Sequence, residues 1–339
     1  MTAPAPAEWS AALDALRDSD EVALLCHVGP DGDALGSMLG LGAALRARGT
    51  RVVASFGAAT GEEFAVPSAY AFLPGLDLLV APEGFPAAPP VLVTFDTGSV
   101  DRLGSLGDRV AAAGCCVVLD HHATNTRFGT VNLVDTCAAA TAVVVVELLD
   151  RLGLPLTAEA AAPLYTGLVT DTGSFKYAAT TPALHQLAAR LLATGIRHDL
   201  ISRAIWDTAS LGYVRLLGDV CSRTELDPAA VRGLGLVWTS ITAEDLDRHG
   251  LGLADVEGVI DVVRTAQEAE VAAVLKGEPG SDAIRVSLRS QGAVDLGALC
   301  VPLGGGGHRY AAGFTSYAGF EATLRLLREA LGTAPHLTP

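Results

Sequence analysis

The sequence predicts an α/β protein: a first domain with a mainly parallel sheet flanked by helices, joined by a helical linker to a smaller C-terminal α/β domain. Three observations carry this reading. In the first half, short β-rich apolar runs alternate with helical stretches. Three of those runs end directly in His or Asp, as expected where an open α/β sheet gathers ligands beyond its strand ends. A second β-rich section, LGLVWTSIT, opens near Leu234 after a long helical stretch.

The expected strands of the first domain are residues 22–27 (VALLCH), 51–56 (RVVASF), 91–96 (VLVTFD) and 115–120 (CCVVLD). Over residues 33–48 the apolar Leu35, Met38, Leu39, Leu41 and Leu45 recur at helical spacing, and Asp33 is chemically suited to cap the start. The most apolar run, 138–149, is too short to cross a bilayer and contains Glu147, so it reads as a buried core helix. Residues 183–193 and 201–220 read as helices, which divides the chain into 1–190, a helical linker over 191–230, and 231–339. The last part adds the strands AEVAAVLKG and AIRVSLRS, a short helix and the run GGGGHRYAAGF.

Half of the 339 residues are hydrophobic, enough for two cores. A net charge of -15 argues against tracking along long nucleic acid, which needs a basic stripe, but leaves room for small phosphate substrates beside bound cations. Met1 to Ser10 lack a basic region followed by an apolar one, so no secretory leader is expected and the chain reads as cytoplasmic, without a membrane partner. Six cysteines without a CxxC pair read as reduced thiols.

Four motifs carry chemistry. In HVGPDGDALGS, His27, Asp31 and Asp33 lie within seven residues on a loop bent by Pro30 and Gly32, a loop that can wrap a metal or simply form a polar turn. Asp96 closes VLVTFD, where a turn-initiating Asp is the plain alternative. Asp120, His121 and His122 follow an apolar strand in VVLDHHATN, and two adjacent histidines there have no packing rationale. Asp171 follows an apolar helical stretch in YTGLVTDTGSFKY, where a polar helix end would look the same. Together His27, Asp31, Asp33, Asp96, His121 and Asp171 form an oxygen-rich ligand set with two imidazoles and no thiolate, suited to Mn²⁺, or to Mg²⁺ second, better than to structural Zn²⁺. Its four carboxylates would balance two divalent cations.

In the C-terminal part, Gly304 to Gly307 followed by His308 and Arg309 combine permissive backbone with cationic side chains, a phosphate or nucleotide cradle; a flexible loop is the alternative. Arg285, Ser287 and Arg289 alternate on a strand and so share one face.

These motifs, HxxPDGDALGS, FDTG, DHH, TDTGSF and GGGGHRYAAG, occur in the order seen in the DHH phosphoesterase superfamily, and the chain resembles its bacterial nanoRNase/pAp-phosphatase group from about residue 15 to about residue 330. The resemblance implies a catalytic DHH domain followed by a DHH-associated substrate-binding domain. It implies one metal held by His27, Asp31 and Asp96, a second held by Asp33, Asp96, His121 and Asp171, with Asp120 behind the ligands and His122 facing the substrate phosphate. It places Arg285, Ser287, Arg289, Gly305, Gly306, Gly307, His308 and Arg309 with the substrate, and a charge at Lys176 where many relatives have Arg. The implied reaction is two-metal hydrolysis of phosphate esters in oligonucleotides a few residues long, pApA, pAp and cyclic di-AMP; the Ala/Leu-rich helices of the first domain leave room for the face of a homodimer. A manganese-dependent pyrophosphatase, or a non-catalytic cyclic-dinucleotide binding protein, are the competing expectations; the glycine run argues against the first, the complete ligand set against the second.

Overall fold

The computed structural model describes residues 3–57, 64–334 and 337; Met1 and Thr2, part of the N-terminal stretch considered above, lie outside them. The chain forms two compact units, residues 1–208 and 209–339.

In the first unit, β1 (Glu21–Cys26), β2 (Arg51–Phe56), β3 (Val91–Phe95), β4 (Cys115–Asp120) and β5 (Val131–Val134) form a sheet of order β2-β1-β3-β4-β5 with parallel pairing throughout. Its strands are apolar on both faces because both faces are covered. Val22, Leu24 and Cys26 of β1 join one cluster, with Val93 and Leu119, while Ala23 and Leu25 join another, with Leu92 and Val118. The α/β architecture expected from the sequence is borne out.

Helix Gly32–Ala47 is buried from Gly32 to Leu45 and runs against helix Ala158–Asp171. Their approach depends on missing side chains: a Cβ on Gly36 would stand 2.3 Å from the Pro163 carbonyl oxygen, and one on Gly167 2.6 Å from Asp33 Oδ1. The cap of the first helix is Asp31, whose Oδ1 accepts from the Asp33 and Ala34 amides, and not Asp33, which sits inside the first turn and faces inward. The apolar run expected as a core helix forms Thr141–Leu152.

Residues 201–220, expected as one helix, are two: His198–Trp206 and Leu211–Ser222. The break falls where Ser210 accepts from the Tyr213 amide and starts the second helix afresh.

The second unit holds β6 (Glu225–Asp227), β7 (Leu236–Ile241), β8 (Val271–Gly277), β9 (Ile284–Ser290), β10 (Gly306–His308) and β11 (Ala311–Ser316) in the order β10-β11-β9-β8-β7-β6, with β7 and β8 parallel and the other pairs antiparallel. Helices cover both faces here too, for Ala273 and Leu275 of β8 pack in one cluster and Ala272 and Val274 in another. Part of the glycine run is itself strand, since Gly306 to His308 pair with Ala311 to Gly313. Among the described residues no helix is long and apolar enough to cross a membrane.

Candidate metal centre

The parallel sheet delivers its chemistry at one edge. His27 follows β1, Asp96 follows β3, Asp120 ends β4, and His121 and His122 come next. Two helix ends meet them: Asp31 and Asp33 open helix Gly32–Ala47, and Asp171 closes helix Ala158–Asp171. The six residues grouped from sequence therefore lie together.

Asp96 stands at the centre. Its φ of 54° is a conformation side chains rarely adopt, and it is held there while its amide donates to the Leu119 carbonyl at 3.0 Å. The two carboxylate oxygens then address different neighbours: Oδ2 lies 3.7 Å from His27 Nε2, and Oδ1 lies 3.5 Å from His121 Nε2 and 3.6 Å from His122 Nδ1. Three donor groups share this residue, and in each the ligand atoms lie within 4.8 Å of one another: His27, Asp31 and Asp96; Asp33, Asp96 and His121; and Asp96, Asp120 and His122, the last already closed by the hydrogen bond between Asp120 and His122. Asp171 Oδ2 reaches the second group, 3.1 Å from His121 Nε2.

The imidazoles are aimed by the backbone. His27 Nδ1 donates to the Val28 carbonyl at 2.9 Å and His121 Nδ1 to the Ala138 carbonyl at 3.2 Å, so each turns Nε2 towards the carboxylates. Asp120 is fully buried and serves the histidine turn: its Oδ1 accepts from the amides of His121 and His122 and from His122 Nδ1 at 2.7 Å, while its Oδ2 accepts from Asn125 at 2.5 Å.

Electrostatics sharpen the picture. Burial, then the neighbouring charge of Asp96, pushes the Asp33 carboxyl up to about 7. Burial and the charges of Asp33 and Asp96 raise Asp171 well above the usual carboxylate range. Burial works against a charged His27, but Asp31 and Asp96 outweigh it and lift the imidazole to about 10. Asp31 and Asp96, beside the imidazoles, go the other way, so the charge of the cluster is unevenly met, and divalent cations would offset the acids that the histidines do not. Oxygen donors, two oriented imidazoles and excess negative charge fit a hard or intermediate divalent cation.

The remaining expected residues lie in the second unit. Along β9 exposure alternates, so Arg285, Ser287 and Arg289 share a half-buried face. Arg285 donates to Glu278 at 2.8 Å, Arg289 Nε is 3.7 Å from Asp261, and Ser287 stands opposite Gly313. Lys276, not considered from sequence as a site residue, pairs across from Arg285 and lies 2.5 Å from Glu257. Gly306, Gly307 and His308 form the edge strand, Gly305 precedes it, and Arg309 follows, 3.5 Å from Asp295. Lys176 is exposed. Sequence reasoning missed Thr141 and Asn125 in the first unit; both are short polar residues whose motifs signal only a helix start and a turn.

A model of the DHH family N-terminal domain matches residues 21–168, and a model of the DHHA1 domain matches residues 240–333. The chain is 35% identical, over 92% of its length and 90% of the other's, to the bifunctional oligoribonuclease and PAP phosphatase NrnA of Thermus thermophilus. The chain belongs to the DHH family. Its phosphoesterases depend on divalent metals, and this DHH-family chain carries the clustered acidic and histidine groups to match. A further relative, the protein of the same description from Bacillus subtilis, is 28% identical, over 89% of this chain and 91% of that one. In fold, the chain is similar to an exopolyphosphatase-related protein of Bacteroides fragilis, with a TM-score of 0.86 at 24% identity and 98% of each chain covered.

Proposed function

We propose that this protein hydrolyses phosphate esters in very small nucleotides: oligoribonucleotides a few residues long, pApA, pAp to AMP and phosphate, with cyclic di-AMP as a further candidate. The observation that carries the reading is Asp96, whose two oxygens face two donor groups and so are suited to bridge a pair of cations. The substrate class is supported by the relatives named oligoribonuclease and PAP phosphatase, which are aligned over nine tenths of this chain.

In this reading His27, Asp31 and Asp96 hold one cation, and Asp33, Asp96, His121 and Asp171 the other. Mn²⁺ suits the mixed oxygen and nitrogen donors, with Mg²⁺ second. Such a pair supplies, when bound, Lewis acidity and a water of lowered pKa. Asp120 fixes the tautomer of His122 by accepting its Nδ1 proton, which leaves the Nε2 side to donate to a phosphate oxygen or to a departing alkoxide. Burial disfavours a charged His122, but the Asp120 hydrogen bond and the Asp96 charge outweigh it and raise its pKa, which favours the doubly protonated ring that such donation requires. Arg285, Ser287 and Arg289 bind a terminal phosphate or base, and Gly305, Gly306, Gly307, His308 and Arg309 cradle phosphate. The protein acts in the cytoplasm as a homodimer, and its net charge of -15 disfavours long nucleic acid.

The test is product analysis with Mn²⁺ and separately with EDTA, on pApA, pAp, cyclic di-AMP, a short RNA and pyrophosphate. Metal-dependent release of mononucleotides is the expected result. Turnover of pyrophosphate alone, or nucleotide binding without turnover, would overturn it.

A further inference from the structure

We infer that Thr141 is a positioning residue that fixes two carboxylates of the metal centre at once, an inference that rests on the metal reading above. Helix Thr141–Leu152 starts beside the site, and the residue at its N-cap, Ala140, has no side-chain oxygen to offer the first amides. Asp33, from a helix more than a hundred positions earlier, fills that need: its Oδ2 accepts from the Thr141 amide at 2.5 Å and its Oδ1 from the Ala142 amide at 3.0 Å. The same residue then acts through a second atom. Thr141 Oγ1 donates to Asp96 Oδ1 at 2.9 Å.

A helix-start threonine ordinarily turns its hydroxyl to its own helix or to water. Here the side chain is fully buried and its hydroxyl reaches a carboxylate on another element. Full burial holds the side chain in place, so amide and hydroxyl act as one pair of donors. Asp33 and Asp96 are thus held relative to each other by one residue, with Ser37 as a further donor to Asp33 Oδ1 at 3.0 Å. Partners of this kind set which lone pairs of a carboxylate face a cation.

Mn²⁺ binding to the full chain, followed by calorimetry, tests this with Thr141→Val and Thr141→Ser. Valine keeps the shape and removes the hydroxyl; serine keeps the hydroxyl. The expectation is about 10- to 100-fold weaker Mn²⁺ binding for Thr141→Val, near wild-type binding for Thr141→Ser, and metal-free melting temperatures that do not follow this order. Unchanged affinity in Thr141→Val, or equal loss in both variants, overturns the inference. Should Thr141→Val not fold, Thr141→Ala removes the hydroxyl without crowding the site and is read the same way. A wild-type protein that binds no divalent cation would sink the metal reading and this inference together. If the wild-type protein binds Mn²⁺ but hydrolyses no nucleotide, only the substrate reading fails, and the Thr141 comparison still decides.

Discussion

Asp33, Asp96 and Asp120 in the first unit are at most 4% exposed, whereas the side chains of Arg285 and Arg289 in the second are 39% and 24% exposed. The buried acids are held by histidines, backbone amides and Thr141, and after burial itself the charge of Asp96 helps to raise the proton affinity of Asp33 and of Asp171. Arg285 and Arg289 of the second unit each stand beside an acid, Glu278 and Asp261. Burying like charges costs several kcal/mol per ion unless something compensates, while partly exposed pairs contribute at most about 1 kcal/mol. The first region therefore concentrates negative charge that a cation could offset, whereas these two arginines of the second already have acidic partners.

The contrast is broken most directly at its centre. Asp96→Asn should lower turnover of pApA by more than the roughly 100-fold expected for loss of an outer partner, because both donor groups lose their shared member; near wild-type rates of AMP release would refute the bridging role. Asp120→Asn should cost about 10- to 100-fold in kcat, with the fold intact by circular dichroism. Adding Mn²⁺ at about a hundred times its Kd should stabilise the protein by about 2.7 kcal/mol over an EDTA-treated sample. A melting curve indifferent to Mn²⁺ would remove the difference between the two regions.

Effects in the second unit should be smaller and of another kind. Arg289→Lys should raise KM by about tenfold and leave Mn²⁺ affinity unchanged, since it removes a planar fork but not a charge. A change in metal affinity would count against the division of labour. The smallest effect concerns Asp245. Burial pushes its carboxyl up, but Arg223, 2.5 Å away, and Thr242 outweigh this and hold it at about 2. Its folded pKa lies below the usual value of about 4, so its contribution, at most about 1 kcal/mol for a pair whose arginine is partly exposed, is present above pH 4 and is lost as pH falls towards 2. Asp245→Asn should flatten that limb of the stability profile measured by urea titration.

What could be read in the sequence follows from how locally each feature is encoded. The strands β1 to β4 were legible because a parallel strand buried on both faces is a continuous apolar run, and the ligand positions because His27, Asp96, Asp120 and His121 lie at or just past the ends of such runs. β5 has only four residues and includes Asn132, so it falls below any periodic signal. Asp31 and Asp33 are both chemically able to cap a helix, and only the packing of Gly32–Ala47 decides which one turns inward. Thr141 was invisible for a related reason: its hydroxyl bonds a residue 45 positions away, a pairing that the three-dimensional fold alone creates. The break between Trp206 and Leu211 did have a local signal, since Asp207, Thr208 and Ser210 are poor helix formers and Ser210 caps the second helix.

Helix Gly32–Ala47 places Gly32, Gly36 and Gly40 at successive turns against helix Ala158–Asp171, although each glycine weakens a helix by up to about 1 kcal/mol. Where two backbones touch with nothing between them, their separation cannot be adjusted by rotamers. The gap between the helix bearing Asp33 and the helix ending in Asp171 is therefore a fixed length, gauged by hydrogen atoms. A single methyl group at Gly36, 2.3 Å from the Pro163 carbonyl oxygen where real contacts stay beyond 3.0 Å, would spread that gauge by more than half an ångström and detune the cation site by distance alone.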